Sequence, residues 1–151
     1  MLSWTNPAAR VTDNFVVREC CWLPSWGVMH VPDSHEQANL IKTCLLLEKV
    51  RALVGKPVRV HCMIRPRVTS SPGGLHDGQD YNSFVGGAPQ SAHVVGLAAD
   101  FDVPGMSCDD LRELLFPHLE ALGCRMENSP HSAWVHLDLR APGPGGRYFK
   151  P

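Results

Sequence analysis

The sequence predicts an α+β fold, a small and mainly antiparallel sheet flanked by helices. Three observations carry that expectation: one long apolar-periodic stretch, several short alternating segments, and Pro/Gly-rich runs that separate them. At 151 residues with 44% hydrophobic content, the chain is long enough to bury a core and reads as one domain over 1–151.

The first 33 residues, carrying Trp4, Trp22 and Trp26, are expected to wrap the sheet. Ser34-His35-Glu36-Gln37 then has the pattern of a capping box, with Ser34 as N-cap and Gln37 as its partner, and opens a helix through about Val54, where Gly55 and Pro57 end it. Leu40, Ile41, Cys44, Leu45, Leu47, Val50, Leu53 and Val54 give that helix a broad apolar stripe, read as core. Val58 to Met63 alternates as a strand and delivers Arg65 to a cleft rim.

Pro66 to Gln79, with Pro72-Gly73-Gly74 and Asp77-Gly78, reads as a long loop, a length that in compact domains goes with function or disorder. His76 within it is expected to be exposed. A second helix begins near Ser107, whose hydroxyl can cap while Asp109 and Asp110 favour the positive end of the dipole; it runs to about Leu122, with Pro117 bending it. Strands near Arg125–Glu127 and Ala133–Leu139 follow. The 141–151 tail, opening on Ala141-Pro142-Gly143-Pro144, is turn-rich and either docks back through Arg147-Tyr148-Phe149 or stays mobile.

Charge and composition exclude several classes. Lys+Arg 14 against Asp+Glu 15 gives a net charge of −1, with no basic run and no interleaved aromatics, so no nucleic-acid partner is expected. No apolar run approaches the ~20 residues of a membrane span. The first residues lack a charged segment followed by an apolar one, so no signal peptide is read and the chain is expected to be cytoplasmic as synthesised. It is expected to be a monomer. The six cysteines include no C-x-x-C pair, and adjacent Cys20 and Cys21 would strain to bridge each other, so free buried thiols are expected rather than a disulfide framework or a cysteine zinc ribbon.

The chemistry concentrates in two segments. Ser91-Ala92-His93-Val94-Val95-Gly96-Leu97-Ala98-Ala99-Asp100 and the later Trp134-Val135-His136-Leu137-Asp138 supply two imidazoles and a carboxylate. Three such ligands at roughly 2.0–2.2 Å suit a catalytic Zn²⁺, which keeps a fourth position for water or substrate. If 93–103 is extended, or a loop entering a strand, Asp100 points inward and Gly96 lets the backbone pass close to the metal. In a strand over 133–139, His136 and Asp138 share one face, and Val135, Leu137 and Leu139 the other. Asp138 then orients an imidazole by accepting its N–H, or is an ordinary surface carboxylate.

The order H-x-x-G-x-A-x-D (His93, Gly96, Ala98, Asp100) followed by W-V-H-x-D resembles the zinc D-Ala-D-Ala carboxypeptidases and peptidoglycan endopeptidases, phage endolysins among them, of peptidase family M15. Arg65 and the run N-x-x-V-G-G-A-x-x-S formed by Asn82, Val85-Gly86-Gly87-Ala88 and Ser91 extend the likeness, which covers roughly 36–140. The resemblance implies a Hedgehog/DD-peptidase-like zinc fold, Zn²⁺ held by His93, Asp100 and His136, and a peptidoglycan peptide as substrate, met after the protein is released to the wall.

It also implies a proton-transfer residue shortly before the third ligand. The usual position three residues before His136 holds Ala133, which leaves His131 as the best match to histidine-based members and Glu127 as the next candidate. Zinc acidifies water enough for either group to complete activation. The matching arginine of the family contacts substrate, and Arg65 offers a rigid fork for a carboxylate or an oxyanion, although Arg67 lies close by. Asn82 and Ser91 bind substrate or organise the loop, and Tyr81 walls the cleft or packs. A second reading keeps the zinc and drops the catalysis: a cell-wall-binding or structural module with an impaired site, suggested by Ala133.

Overall fold

The computed structural model describes residues 2–68 and 78–150. The run Pro72-Gly73-Gly74 and His76 lie outside the described residues.

The chain opens with helix α1 (Val17–Cys21) and a small antiparallel hairpin of β1 (Trp22–Leu23) and β2 (Val28–Met29). Phe15, Val17, Cys20, Cys21 and Leu23 are buried and join the main apolar cluster. Helix α2 (Ser34–Val54) holds this segment through one carboxylate: Glu48 accepts from Thr12 Oγ1 at 2.8 Å and from the Asn14 backbone N–H at 2.8 Å.

The capping box of α2 sits one residue earlier than the sequence suggests. Asp33 is the N-cap, its carboxylate accepting from Glu36 N at 2.8 Å, and Glu36 accepts in return from Asp33 N at 2.9 Å. Two carboxylates make this pairing, while Gln37 turns its amide to donate to the Pro32 carbonyl at 2.8 Å. The apolar stripe is also narrower than expected. Leu40, Cys44, Leu46, Leu47 and Val50 are buried, but Ile41, Leu45 and Leu53 face solvent, because the packed face follows the spacing 40, 43, 44, 47, 50 with Thr43 on it.

The main sheet has five strands, β3 (Arg59–Cys62), β4 (Ala98–Asp102), β5 (Arg125–Glu127), β6 (Val135–Asp138) and β7 (Tyr148–Phe149), in the order β3-β4-β6-β5-β7. All neighbours are antiparallel except β5 and β7. The fold is therefore α+β with a mainly antiparallel sheet. Every residue of β4 is buried, as expected of a strand paired on both edges. Phe101, Met126, Val135 and Leu137 point from the sheet into the core, met by α2 and by Leu111 and Leu115 of the helix after β4.

Between β3 and β4 come helix α3 (Tyr81–Phe84) and a 3₁₀ turn over Ala92–Val95. After β4, helix α4 (Cys108–Leu115) starts at Ser107, whose Oγ accepts from Asp110 N at 3.0 Å. The expected bend at Pro117 is a break: a 3₁₀ turn (Phe116–His118) separates α4 from helix α5 (Leu119–Leu122), since proline cannot supply the N–H the helix would need. The tail docks: Met126 N donates to Arg147 O at 2.7 Å and Asn128 N to Phe149 O at 2.6 Å, adding β7 beside β5. Among the described residues, no helix is long and apolar enough to cross a membrane.

All six cysteines are free, with Cys20 and Cys44 bringing their sulfurs to 3.4 Å inside the core. Titration of the denatured protein, prepared with oxidation blocked, is expected to count six thiols. A count of four would identify a Cys20–Cys44 bridge; two or fewer would mean a wider disulfide framework.

Candidate metal centre and cleft

Strand register brings the site together. In β4, Asp100 lies opposite His136 of β6 on one side and opposite Cys62 of β3 on the other, so the three side chains form a row across one face of the sheet. His93 reaches this row from the 3₁₀ turn, where Ser91 Oγ accepts from His93 N at 3.3 Å. The segment after His93 thus differs from an extended run. Gly96 closes the turn at φ 74, and a Cβ there would press on Leu40 at 3.0 Å, so this glycine fits the turn against α2 and not the backbone against a metal.

Three donor atoms converge. His136 Nδ1 is 2.8 Å from Asp100 Oδ1 and 3.2 Å from His93 Nε2, and His93 Nε2 is 3.2 Å from Asp100 Oδ1. Ligands bound at ~2.0–2.2 Å around a tetrahedral ion stand ~3.3–3.5 Å apart, so the N/N/O set is nearly spaced for one metal. The tautomers agree. The Met63 carbonyl can only accept, so His93 Nδ1 carries its hydrogen (3.1 Å) and Nε2 keeps a lone pair for the cluster. His136 Nε2 faces Asp138 Oδ2 at 3.5 Å, and Asp138 is fixed in turn by both forks of Arg125, at 2.9 and 2.8 Å. Asp138 is buried, not an open surface carboxylate.

The electrostatics suit a cation among these three donors. Burial would raise the Asp100 carboxyl, but the hydrogen bond from His136, with the His93 imidazole close by, outweighs it and holds Asp100 well below the usual carboxylate range. Burial lowers His93 more than Asp100 raises it, so His93 stays neutral. For His136 burial is overcome by Asp100 and Asp138, which lift it to about 9. A metal ion bound by these donors would displace a proton from His136.

Cys62 escaped the sequence reading. Cys62, His93 and Asp100 each offer a ligand atom within 4.8 Å of the others, a group able to hold a metal ion. The sulfur stands 3.8 Å from His93 Nδ1, the edge of the ring that faces Met63, while Asp100 and His136 meet the other nitrogen. Burial pushes its thiol up to about 12. The signal for it was available in the alternation of β3 once the register with Asp100 is known.

A cleft of ≈ 520 Å³ opens over the cluster, lined by Arg65, Asp100, Glu127, Trp134, His136 and Phe149 among others. Arg65 lies at its rim, Nη2 3.6 Å from Asp100 Oδ2, with its backbone N–H donating to the His93 carbonyl at 2.8 Å. Gly87 is required beside it: a Cβ would land on Asn82 Oδ1 and come within 3.1 Å of Arg65 Nη1. Asn82 is buried and donates to the Gly87 and Ala88 carbonyls at 3.2 and 3.0 Å, shaping the loop. Ser91 also lines the cleft. Tyr81 is buried edge-on against Trp26, with ring centroids 5.0 Å apart, and does not line it.

The two proton-transfer candidates separate. Glu127 borders the cleft, accepting from Ser129 Oγ at 2.5 Å. His131 is 90% exposed, at a positive φ of 64, with Nδ1 3.2 Å from Asp109 Oδ2, and it is not among the residues lining the cleft. The backbone explains this: His131 N donates to Asp109 Oδ1 at 3.1 Å, which ties the loop to the start of α4. Phe149 of the docked tail supplies a wall that the sequence did not announce, stacked under the Arg125 guanidinium at 4.4 Å.

No curated protein and no solved structure matches the chain. A family model described as Peptidase M15 matches residues 14–138, most of the chain and the segments that carry His93, Asp100 and His136, so the protein belongs to peptidase family M15.

Proposed function

We propose that the protein is a zinc-dependent hydrolase of a peptide bond in peptidoglycan stem peptides, with Zn²⁺ held by His93, Asp100 and His136. The observation that carries this reading is the convergence of His93 Nε2, Asp100 Oδ1 and His136 Nδ1 to within 3.2 Å of one another under an open cleft. When bound, the ion supplies Lewis acidity, polarising a carbonyl and acidifying water near neutral pH.

The chain's own residues do the rest. Glu127 takes the proton of the attacking water and returns it to the leaving amine, a role that its carboxylate on the cleft wall supports. Arg65 fixes the substrate carbonyl or carboxylate; its Nε has no hydrogen-bond partner among the described residues. Ser91 offers a hydroxyl to the substrate backbone, Asn82 holds the loop that carries it, and Tyr81 anchors the start of α3 against Trp26. Asp138 orients His136, and replacing it by asparagine should weaken zinc binding roughly 10–100-fold, the usual loss for an outer partner. Direct metal titration of Asp138→Asn checks it.

Cys62 stands against the far edge of His93, so the working site is the three-donor set. Cys62→Ser should keep one zinc per chain; loss of the metal in that variant alone would move the site to Cys62, His93 and Asp100. Ala133 favours the non-catalytic reading, and Glu127 in the cleft answers it. Incubating zinc-loaded protein with defined stem peptides, with and without a chelator, tests the function. Fragment masses should show one bond cut, the cleavage should vanish on chelation and return with zinc, and the masses should name the bond. Intact peptides with zinc bound would leave only the binding module.

A further inference from the structure

Four arginines stand around the cleft and its shoulder, and two of them are already neutralised. Arg65 leans on Asp100 at 3.6 Å and Arg125 grips Asp138 with both forks. Arg67 and Arg140 have no carboxylate partner among the described residues. Arg67 donates to the Pro89 carbonyl with one of its five donors, which braces it against the loop. Arg140 is half-buried, and its backbone N–H donates to Asp138 Oδ1 at 3.0 Å, which sets the residue just beyond His136 and Asp138 along the same strand direction.

These two guanidinium groups line one groove of ≈ 600 Å³ together with Gln90, Ser91, Val94 and Val95, and none of the described residues lining it is acidic. Gln90, Ser91 and Arg140 also line the cleft over the His93/Asp100/His136 cluster, so groove and cleft share a wall and adjoin. A groove with two unneutralised forks and no carboxylate asks for an anion. Beside a peptide cleft, the anion such a groove would meet is one on the chain that is cut, and the anion a peptide carries is a carboxylate, which matches the planar fork.

We propose that the Arg67/Arg140 groove is a substrate subsite that selects peptides bearing a carboxylate away from the bond to be cut. The inference rests on the peptidase reading of the adjoining cleft, and its test separates the two. Three otherwise identical peptides are used with the zinc-loaded protein: one with a free side-chain carboxylate and an amidated C-terminus, one with both amidated, and one with only the C-terminal carboxylate. Calorimetry gives Kd, or KM where the peptide is cut, and mass spectrometry of the same samples records cleavage.

One of the two carboxylate peptides should bind roughly 10–100-fold tighter than the fully amidated one, the range for a charge-assisted contact. Which one does so identifies the source of the anion. In Arg67→Gln combined with Arg140→Gln, checked for unchanged circular dichroism, the preference should fall to about onefold, and Arg140→Lys should keep part of it. Equal affinity for all three peptides, no binding of any, or a preference that survives the double variant would overturn the subsite. Carboxylate-selective binding without cleavage would instead sink the peptidase reading and leave the subsite standing; cleavage without selectivity would do the reverse.

Discussion

Glu127→Gln is expected to lower kcat on a cleaved stem peptide by roughly 10²–10⁴-fold while zinc stays at one per chain, the range for loss of a general acid/base. The amide keeps the size of the side chain and can still accept from Ser129 Oγ, so the loop geometry is preserved and only the proton is lost. His131→Ala, by contrast, should change kcat by less than about threefold, because the imidazole is 90% exposed and engaged with Asp109. Steady-state kinetics with metal analysis on both variants decides the matter. If His131→Ala loses activity with metal retained while Glu127→Gln does not, the shuttle is His131, brought in by a movement of the 128–134 loop.

The second large effect concerns the metal itself. His93→Ala and His136→Ala should each lose far more zinc affinity than the roughly 10–100-fold expected of an outer partner, because each removes one of only three donors. His136→Ala also strands Asp100, whose carboxylate then loses its 2.8 Å contact inside the protein. Equilibrium dialysis followed by elemental analysis reads this directly. Full zinc retention in the double variant would end the three-ligand account.

The elements that sequence reasoning recovers are those with strong local signals. The α2 span, the Ser107 cap and the β5 and β6 strands follow from periodicity and capping chemistry, and the metal-ligand candidates follow from the ordered H-x-x-G-x-A-x-D and W-V-H-x-D segments. What it misses is set by tertiary contact. Whether Asp33 or Ser34 caps α2 is a choice between neighbours that both carry an oxygen, decided by Glu36 reaching back. Cys62 becomes visible only when β3 is placed in register with β4.

The placement of the two proton-transfer candidates is likewise set by tertiary contact. Counting back from His136 favours His131, but the 128–134 loop folds toward α4, and a carboxylate farther back in the chain borders the cleft instead. Phe149 lies in a turn-rich tail with no periodicity to announce it, and it reaches the site because β7 pairs with β5.

Anomalous scattering from zinc-loaded crystals, recorded on both sides of the zinc absorption edge, tests the central claim most directly, since it locates the ion and names its ligands in one map. The account predicts a single strong peak bonded to His93 Nε2, an Asp100 carboxylate oxygen and His136 Nδ1, with the Cys62 sulfur outside bonding distance. A peak bonded to Cys62 and not to His136, or no peak in this cleft, would contradict it.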